Sequence, residues 1–497
     1  MPLSLPTAGF LVATLAVALI WLYRAALPKP IPGIPYDEKS AKRLLGDVPD
    51  ALKHHAETSE MITFLEKKCL ELGSPIAQVF VRPFARPWVV LLDSRESQDI
   101  MVRRGREFDR SEFFGDLFVS LFPMNQASMR TNDQWRHNRR LMADAMSPRF
   151  LNNVAANEIH RNTLDLIDLW REKFRIAAGH VIDVSQDIKY CTVDTIWAAA
   201  FGTAADACKS QYQYLSTLPA LSSASRAPET VTSLPVHGLS EIYKALETIA
   251  SSSEIPMNSP FGRWHHWIAI KCFPYLRRAM GLRDQLIEAK LGQAWKTFSK
   301  AVVDQEEREA KVRCVVDLIV ERESTMATKQ GKAPGKDSQI MKDELAGFLN
   351  AGFETTSSTV NWGLKYLTKH QNVQEKLRQS LQRAFPGSAI DGQQPAAKAI
   401  AESNIPYLDA FMEEVLRHSS IIAANIRVAT TDAPVLGRIV PKGKKLAYME
   451  MRTMYSLILW NFELRPISPS LMDIKAQDVL THSAKNVRVI LQPLNQE

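Results

Sequence analysis

Ala351-Gly352-Phe353-Glu354-Thr355-Thr356 sits in the middle of an apolar helical pattern that runs from about Met341 to Lys369. Leu345, Phe348, Leu349, Val360, Leu364 and Leu367 cover most of one side, so the helix has to bury much of its length. Ala351 and Gly352 have almost no side chain and let something large and flat approach. The acid and hydroxyl that follow, Glu354 and Thr355, can relay protons to a bound oxygen species. A threonine hydroxyl can also bond back into the helical ladder and open a notch. The bland reading of the same six residues is a glycine-weakened helix whose threonines bond to preceding carbonyls.

Working outward, Glu414-Val415-Leu416-Arg417 places an acid and a cation at i and i+3 of one helical face. Alone, such a pair is an ordinary surface contact worth little. Trp135-Arg136-His137-Asn138-Arg139 puts an aromatic ring and a cation one turn apart on another helix, suited to stacking beside and pairing with a carboxylate-bearing cofactor. Arg427 supplies a second cation, and Val435 to Gly443 has the pattern of a hairpin strand ending in a turn. The apolar stretch Lys445 to Arg452 follows directly. The last cysteine of the chain is Cys314.

The 497 residues carry a net charge of +7, with no long basic run, so nucleic-acid binding has no support. With 45% hydrophobic and 23% charged residues, wholesale disorder is excluded and a sizeable core is possible. Cys69, Cys191, Cys208, Cys272 and Cys314 are scattered without zinc or disulfide spacing, which predicts reduced thiols in a cytosol-facing domain. Residues 3–23 have the length and apolarity of a transmembrane signal-anchor, with Arg24 and Lys29 on the cytosolic side. No charged segment precedes the apolar core and no convincing cleavage site follows it, as a cleaved signal would require. Residues 24–36 then form a proline-rich hinge, a stiff spacer between the membrane and a domain over 37–497.

Two β-branched runs between Ile76 and Asp93 flank a proline-containing turn and predict a hairpin. Beyond it, helical periodicity dominates, near 95–105, 133–147, 155–175, 185–201, 239–250, 283–311, 314–327, 341–370, 372–384 and 406–418. The fold class is mainly α with a small β region. Gln211 to Pro274, rich in Ser and Pro and holding Trp264, Trp267 and Phe273, reads as a mobile lid, a membrane-touching loop or a long connection.

In this order and spacing, the anchor, the proline hinge, Trp-x-x-x-Arg, Ala-Gly-x-Glu-Thr-Thr and Glu-x-x-Arg resemble the cytochrome P450 family in its fungal, microsomal form. The resemblance implies the cytochrome P450 fold and a haem cofactor. Trp135 and Arg139 would meet one haem propionate and Arg427 the other, while Ala351 and Gly352 would face the macrocycle. Glu354 and Thr355 would deliver protons to iron-bound oxygen, and Glu414 and Arg417 would form a buried structural pair. It further implies a hydrophobic small-molecule substrate, an NADPH-dependent reductase as partner, and a single-pass membrane location at the endoplasmic reticulum, with secondary metabolism as the setting.

The resemblance also marks a gap. In the family, several tens of residues separate the turn equivalent to Pro441-Lys442-Gly443 from the helix equivalent to Lys445 onward, and they hold the cysteine that ligates haem iron. Here the flanks are fused, with a deletion near 443–444, so the fold is expected to be incomplete near the C-terminus and no axial metal ligand is present. Because thiolate donation is what favours O–O cleavage, two rivals stand beside the monooxygenase: an inactive pseudoenzyme or mis-spliced gene product unable to bind haem normally, and an unrelated membrane-anchored helical binding protein. His418 and His482 do not stand at the family's ligand position.

Overall fold

The structure is a computed structural model that describes residues 5–83, 85–220, 231–257, 259, 261–298, 312–331, 333–335, 339–422, 426–430, 454–478 and 481–494, with side chains from Thr14 onward. The junction at 443–444, the strand expected from Val435 and the start of the helix at Lys445 lie outside these residues. The chain is mainly helical with a small strand content, and it divides into two compact units.

The first unit runs to Asp109 and takes in Val428 to Thr430. It opens with helix α1 (Leu5–Ala26) over the segment read as an anchor. Among the described residues no helix is long and apolar enough to cross a membrane. The predicted hairpin is present: β1 (Ile76–Val79) pairs antiparallel with β2 (Trp88–Leu91) in the register Ile76 to Leu91. The proline hinge is tied to this hairpin. Gln78, 1% exposed, accepts from the Ile31 N–H at 2.7 Å and donates to the Ile31 and Ile34 carbonyls at 2.9 and 2.8 Å. A buried amide that satisfies three backbone groups restricts the hinge in addition to its prolines. Strand β3 (Phe108–Arg110) pairs with β5 (Arg427–Ala429), and beside them Thr430 donates to the Glu107 carbonyl at 2.7 Å.

The second unit holds the large core. The helices that matter for the site are α2 (Glu112–Phe118), α3 (Asp133–Leu141), α4 (Ala156–Ala177), α5 (Ser185–Phe201), α6 (Arg263–Cys272), α7 (Pro274–Phe298), α8 (Gln339–Lys369) and α9 (Pro406–Ser419). Asn132 starts α3 by accepting from the Trp135 N–H, and Ser111 starts α2 by accepting from that of Phe114. Gly202, at φ 64°, ends α5 in the left-handed conformation that favours glycine. Helix α5 is buried on all sides from Ile188 to Phe201 apart from Lys189, and packs along α8.

Behind α8, β4 (Ile182–Asp183), β9 (Arg488–Pro493) and β6 (Phe462–Arg465) form a sheet with β9 in the centre, and β7 (Ala476–Asp478) pairs with β8 (His482–Ala484). Residues 454–461 are helical, and Met454, Tyr455, Leu457, Ile458 and Leu459 are fully buried, as their apolarity requires. The Tyr455 ring lies against Gly363 of α8, where a Cβ would have no room, and its hydroxyl donates to the Thr359 carbonyl at 3.0 Å.

Two sequence expectations shift. The helix expected from 283 starts nine residues earlier, at Pro274, because proline fits a first helical turn. The stretch Gln211 to Pro274 contains an additional helix, α6, whose apolar residues point outward and so gave no inward-facing stripe.

Candidate functional site

Helix α8 carries the central motif, and its neighbours determine what each residue can do. Glu354 is 4% exposed. Its carboxylate lies 3.8 Å from Lys189 Nζ of α5, and Thr481 Oγ1 is 3.5 Å away on the other side. Thr481, Ser358 and Ser483 close a triangle of hydroxyls with sides of 2.9, 2.7 and 2.9 Å. The buried acid therefore sits at one end of a hydroxyl cluster that can hold or pass a proton. Thr355 is half-buried, and its hydroxyl donates to the Ala351 carbonyl at 2.9 Å, the back-bonded arrangement.

Ala351 and Gly352 differ. Ala351 is exposed, one turn before Thr355 on the same open side of α8. Gly352 is turned to α5, where a Cβ would stand 2.5 Å from Ile196 Cδ1. Its small size serves the crossing of two helices.

Trp135 and Arg139 are together on α3, with the guanidinium 5.7 Å from the ring centroid, and Arg110 approaches the same ring at 4.7 Å. Trp135 Nε1 is buried with no acceptor among the described residues. An unpaired indole N–H beside two guanidiniums is the donor set a carboxylate would complete. Arg427 is half-buried at the start of β5 and donates from Nη1 to the Ile426 carbonyl at 3.1 Å.

Two adjacent acids of α8, unremarked in the sequence reading, hold the segment 124–126 and, through Asn138, α3. Asp343 accepts from the Met124 N–H at 2.6 Å. Glu344 accepts from the Gln126 N–H at 2.6 Å and from Asn138 Nδ2 at 2.8 Å. Burial raises both carboxyls above their ordinary range, against the lowering effect of these bonds. Their signal was available: two acids beside Leu345 at the start of an apolar helix need partners.

Glu414 and Arg417 do pair, through two bonds of 2.8 and 2.6 Å, with His418 adding a contact at 3.1 Å. The pair is at the surface, however, with side chains 56% and 63% exposed, rather than buried as expected. Among the described residues nothing covers that face of α9, whose buried side is formed by Leu408, Phe411, Met412 and Val415. The Arg417 bonds hold the Glu414 carboxyl down at about 2.

A family model for cytochrome P450 matches residues 52–446. The cytochrome P450 monooxygenase GME11363 of Pestalotiopsis microspora is 40% identical over 445 residues, 89% of this chain and 76% of that protein. The cytochrome P450 monooxygenase TRI13 of Fusarium sporotrichioides is 32% identical over 88% of this chain and 74% of its own length. The xilC monooxygenase of Penicillium rubens is 32% identical over 93% and 77%. The chain belongs to the cytochrome P450 family. Membership implies a haem-iron cofactor, and monooxygenases of this family use a reductase and hydrophobic substrates.

The residues fit that cofactor on one side only. Trp135, Arg139 and Arg110 are donors that its carboxylates would need. The iron side has no thiolate donor. Cys191 Sγ is turned to the Asn162 carbonyl of α4, and the Cys208 thiol is hydrogen-bonded to the free thiol of Cys191. Burial pushes the Cys69, Cys208 and Cys314 thiols up, the last to about 12, and Cys272 is exposed at the end of α6. His482 is bonded to Asp478 at 2.7 Å and stacked on Trp362, and His418 is bonded to Glu414. The set does not fit thiolate-ligated haem.

Proposed function

We propose that the protein is a cytochrome P450 monooxygenase that oxidises a hydrophobic small molecule in fungal secondary-metabolite biosynthesis, with electrons from an NADPH-dependent reductase. The observation that carries this reading is the pairing of a buried Glu354, held by Lys189 and the hydroxyl cluster, with Thr355 on the open side of α8. The three fungal relatives, each named a monooxygenase, support it. Glu354 and Thr355 are the proton-handling residues, and Trp135, Arg139 and Arg427 the cofactor's carboxylate partners.

Attachment to the endoplasmic reticulum by a single span, with the main domain in the cytosol, belongs to the same proposal. The 22 residues of α1 reach about 33 Å at 1.5 Å per residue. Leu15, Val17, Leu19, Ile20, Trp21 and Leu22 are all exposed. A helix of that length with exposed apolar side chains over residues 15–22 is what the proposal rests on.

A second reading, an inactive family member or mis-spliced product, is favoured by the position of the last cysteine, Cys314, ahead of every motif of the oxygen-handling half. The spectrum of reduced, carbon-monoxide-treated protein separates the two. A thiolate-type Soret band supports the enzyme, and a protein without haem absorbance leaves the second reading. Sequencing the transcript across the codons for residues 442–445 then shows whether a cysteine-bearing segment is encoded.

A further inference from the structure

The donors around Trp135 are held from α8 by one carboxylate. Glu344, 1% exposed, accepts from the Gln126 N–H at 2.6 Å, from Gln126 Nε2 at 2.8 Å and from Asn138 Nδ2 at 2.8 Å. Both partners lead on to the ring. Asn138 is fully buried, donates also to the Met124 carbonyl at 2.7 Å and accepts from Gln134 Nε2 at 2.7 Å. Its amide therefore fixes the rotation of α3 from a position beside Arg139 and three residues after Trp135. The Gln126 carbonyl accepts from Arg110 Nη1 at 2.8 Å, and that guanidinium stands 4.7 Å from the centroid of the Trp135 ring.

The segment that carries this relay has no slack against α8. Asp343 accepts from the Met124 N–H at 2.6 Å, and Asn125 Nδ2 donates to the Asp343 carbonyl at 3.0 Å. The Asn125 amide lies over Gly347, in the space a Cβ there would take. Three consecutive residues are thus bonded to one helix, and buried bonds of this kind rigidify what they join. On the far side, Trp135 Nε1 is buried with no acceptor among the described residues, and Arg110 and Arg139 flank its ring. Donors that must meet the two oxygens of a carboxylate need a supporting shell, because a misplacement of about 1 Å is costly.

We propose that Glu344 is a positioning residue for these donors: through Asn138 and the Gln126 carbonyl it sets the direction of the Trp135 indole N–H and of the Arg110 and Arg139 guanidiniums. The role given to the donors rests on the function proposed above, whereas the relay from Glu344 does not.

The test uses the full chain labelled with 5-fluorotryptophan, with the fluorine spectrum as the readout. Trp135→Phe, Trp170→Phe and Trp197→Phe identify the three signals to be followed. Glu344→Ala should shift and broaden the Trp135 signal and leave in place those of Trp170, bonded to Asp187, and Trp197, packed on Phe201. Glu344→Gln keeps the shape and an acceptor toward Gln126 and Asn138, and should restore the signal. Asn138→Ala leaves the Gln126 bonds intact, should also move the Trp135 signal, and carries the test if Glu344→Ala does not fold. A Trp135 signal unmoved in these variants overturns the proposal. So does one that moves only together with Trp170 and Trp197, which is general loosening, or one that Glu344→Gln fails to restore. The measurement needs no cofactor, so it stands apart from the carbon-monoxide spectrum: a moved Trp135 signal in a protein without haem absorbance keeps the relay and removes only the role of the donors.

Discussion

Lys189 Nζ of α5 stands 3.8 Å from the Glu354 carboxylate of α8, so the acid of the central motif has a cation on one side and the Thr481 hydroxyl on the other. Removing the cation leaves a buried carboxylate unpaired. Lys189→Met should cost about 1–3 kcal/mol in urea unfolding, discounted for its partly exposed side chain. Adding Glu354→Gln should recover most of that loss. A double variant no more stable than Lys189→Met alone would show that the two do not interact.

The surface pair makes an acid-side prediction. With Glu414 held at about 2 in the fold, against about 4.3 in an unfolded chain, its contribution is present above pH ~4.3 and is lost as pH falls through about 2. Arg417→Ala should remove that contribution, so the variant is slightly less stable than the wild type at neutral pH and the two converge as pH falls toward about 2. Parallel acid-unfolding curves for the two proteins would contradict it.

His266 titrates higher up the scale. Burial, with neighbouring His265, lowers its imidazole to about 4, and its Nε2 lies 3.1 Å from the Ser252 hydroxyl. The fold accepts only the neutral ring, so stability is full above pH ~6.5 and declines as pH falls from there toward about 4. Melting temperatures of the protein and of His266→Gln, measured from pH 7 to 4.5, should converge as the wild type loses this advantage.

At the hinge, Gln78→Leu removes three hydrogen bonds to the Ile31 and Ile34 backbone. The expected cost is about 1–3 kcal/mol, with faster amide exchange confined to residues around Ile31. Exchange unchanged there would mean that the prolines alone hold the segment.

Most of the architecture was legible because it rests on periodicity. The hairpin of β1 and β2, and helices α5, α8 and α9, fall where their apolar spacing puts them. Helix α6 was not legible as a helix, since a stripe facing outward looks like a loop rich in aromatics. In the site, Glu354 and Thr355 could be named from sequence, but Lys189, Thr481, Ser358 and Ser483 could not. Their relation to Glu354 is created by packing between distant segments and leaves no spacing to read. The exposure of Glu414 and Arg417 was invisible for a related reason: two side chains one turn apart pair equally well in water or in a core.

The β7–β8 hairpin is fastened to α8 at many points. Ser358 meets Thr481 and Ser483, Trp362 donates to the His482 carbonyl, and Lys365 reaches Asp473 and the Lys475 and Lys485 carbonyls. The C-terminal end is thus moored to α8 itself, like the far bank of a bridge with its abutment already set. A transcript that encoded a longer span at the 443–444 junction would meet a downstream segment whose place against α8 is already fixed by its own hydrogen bonds.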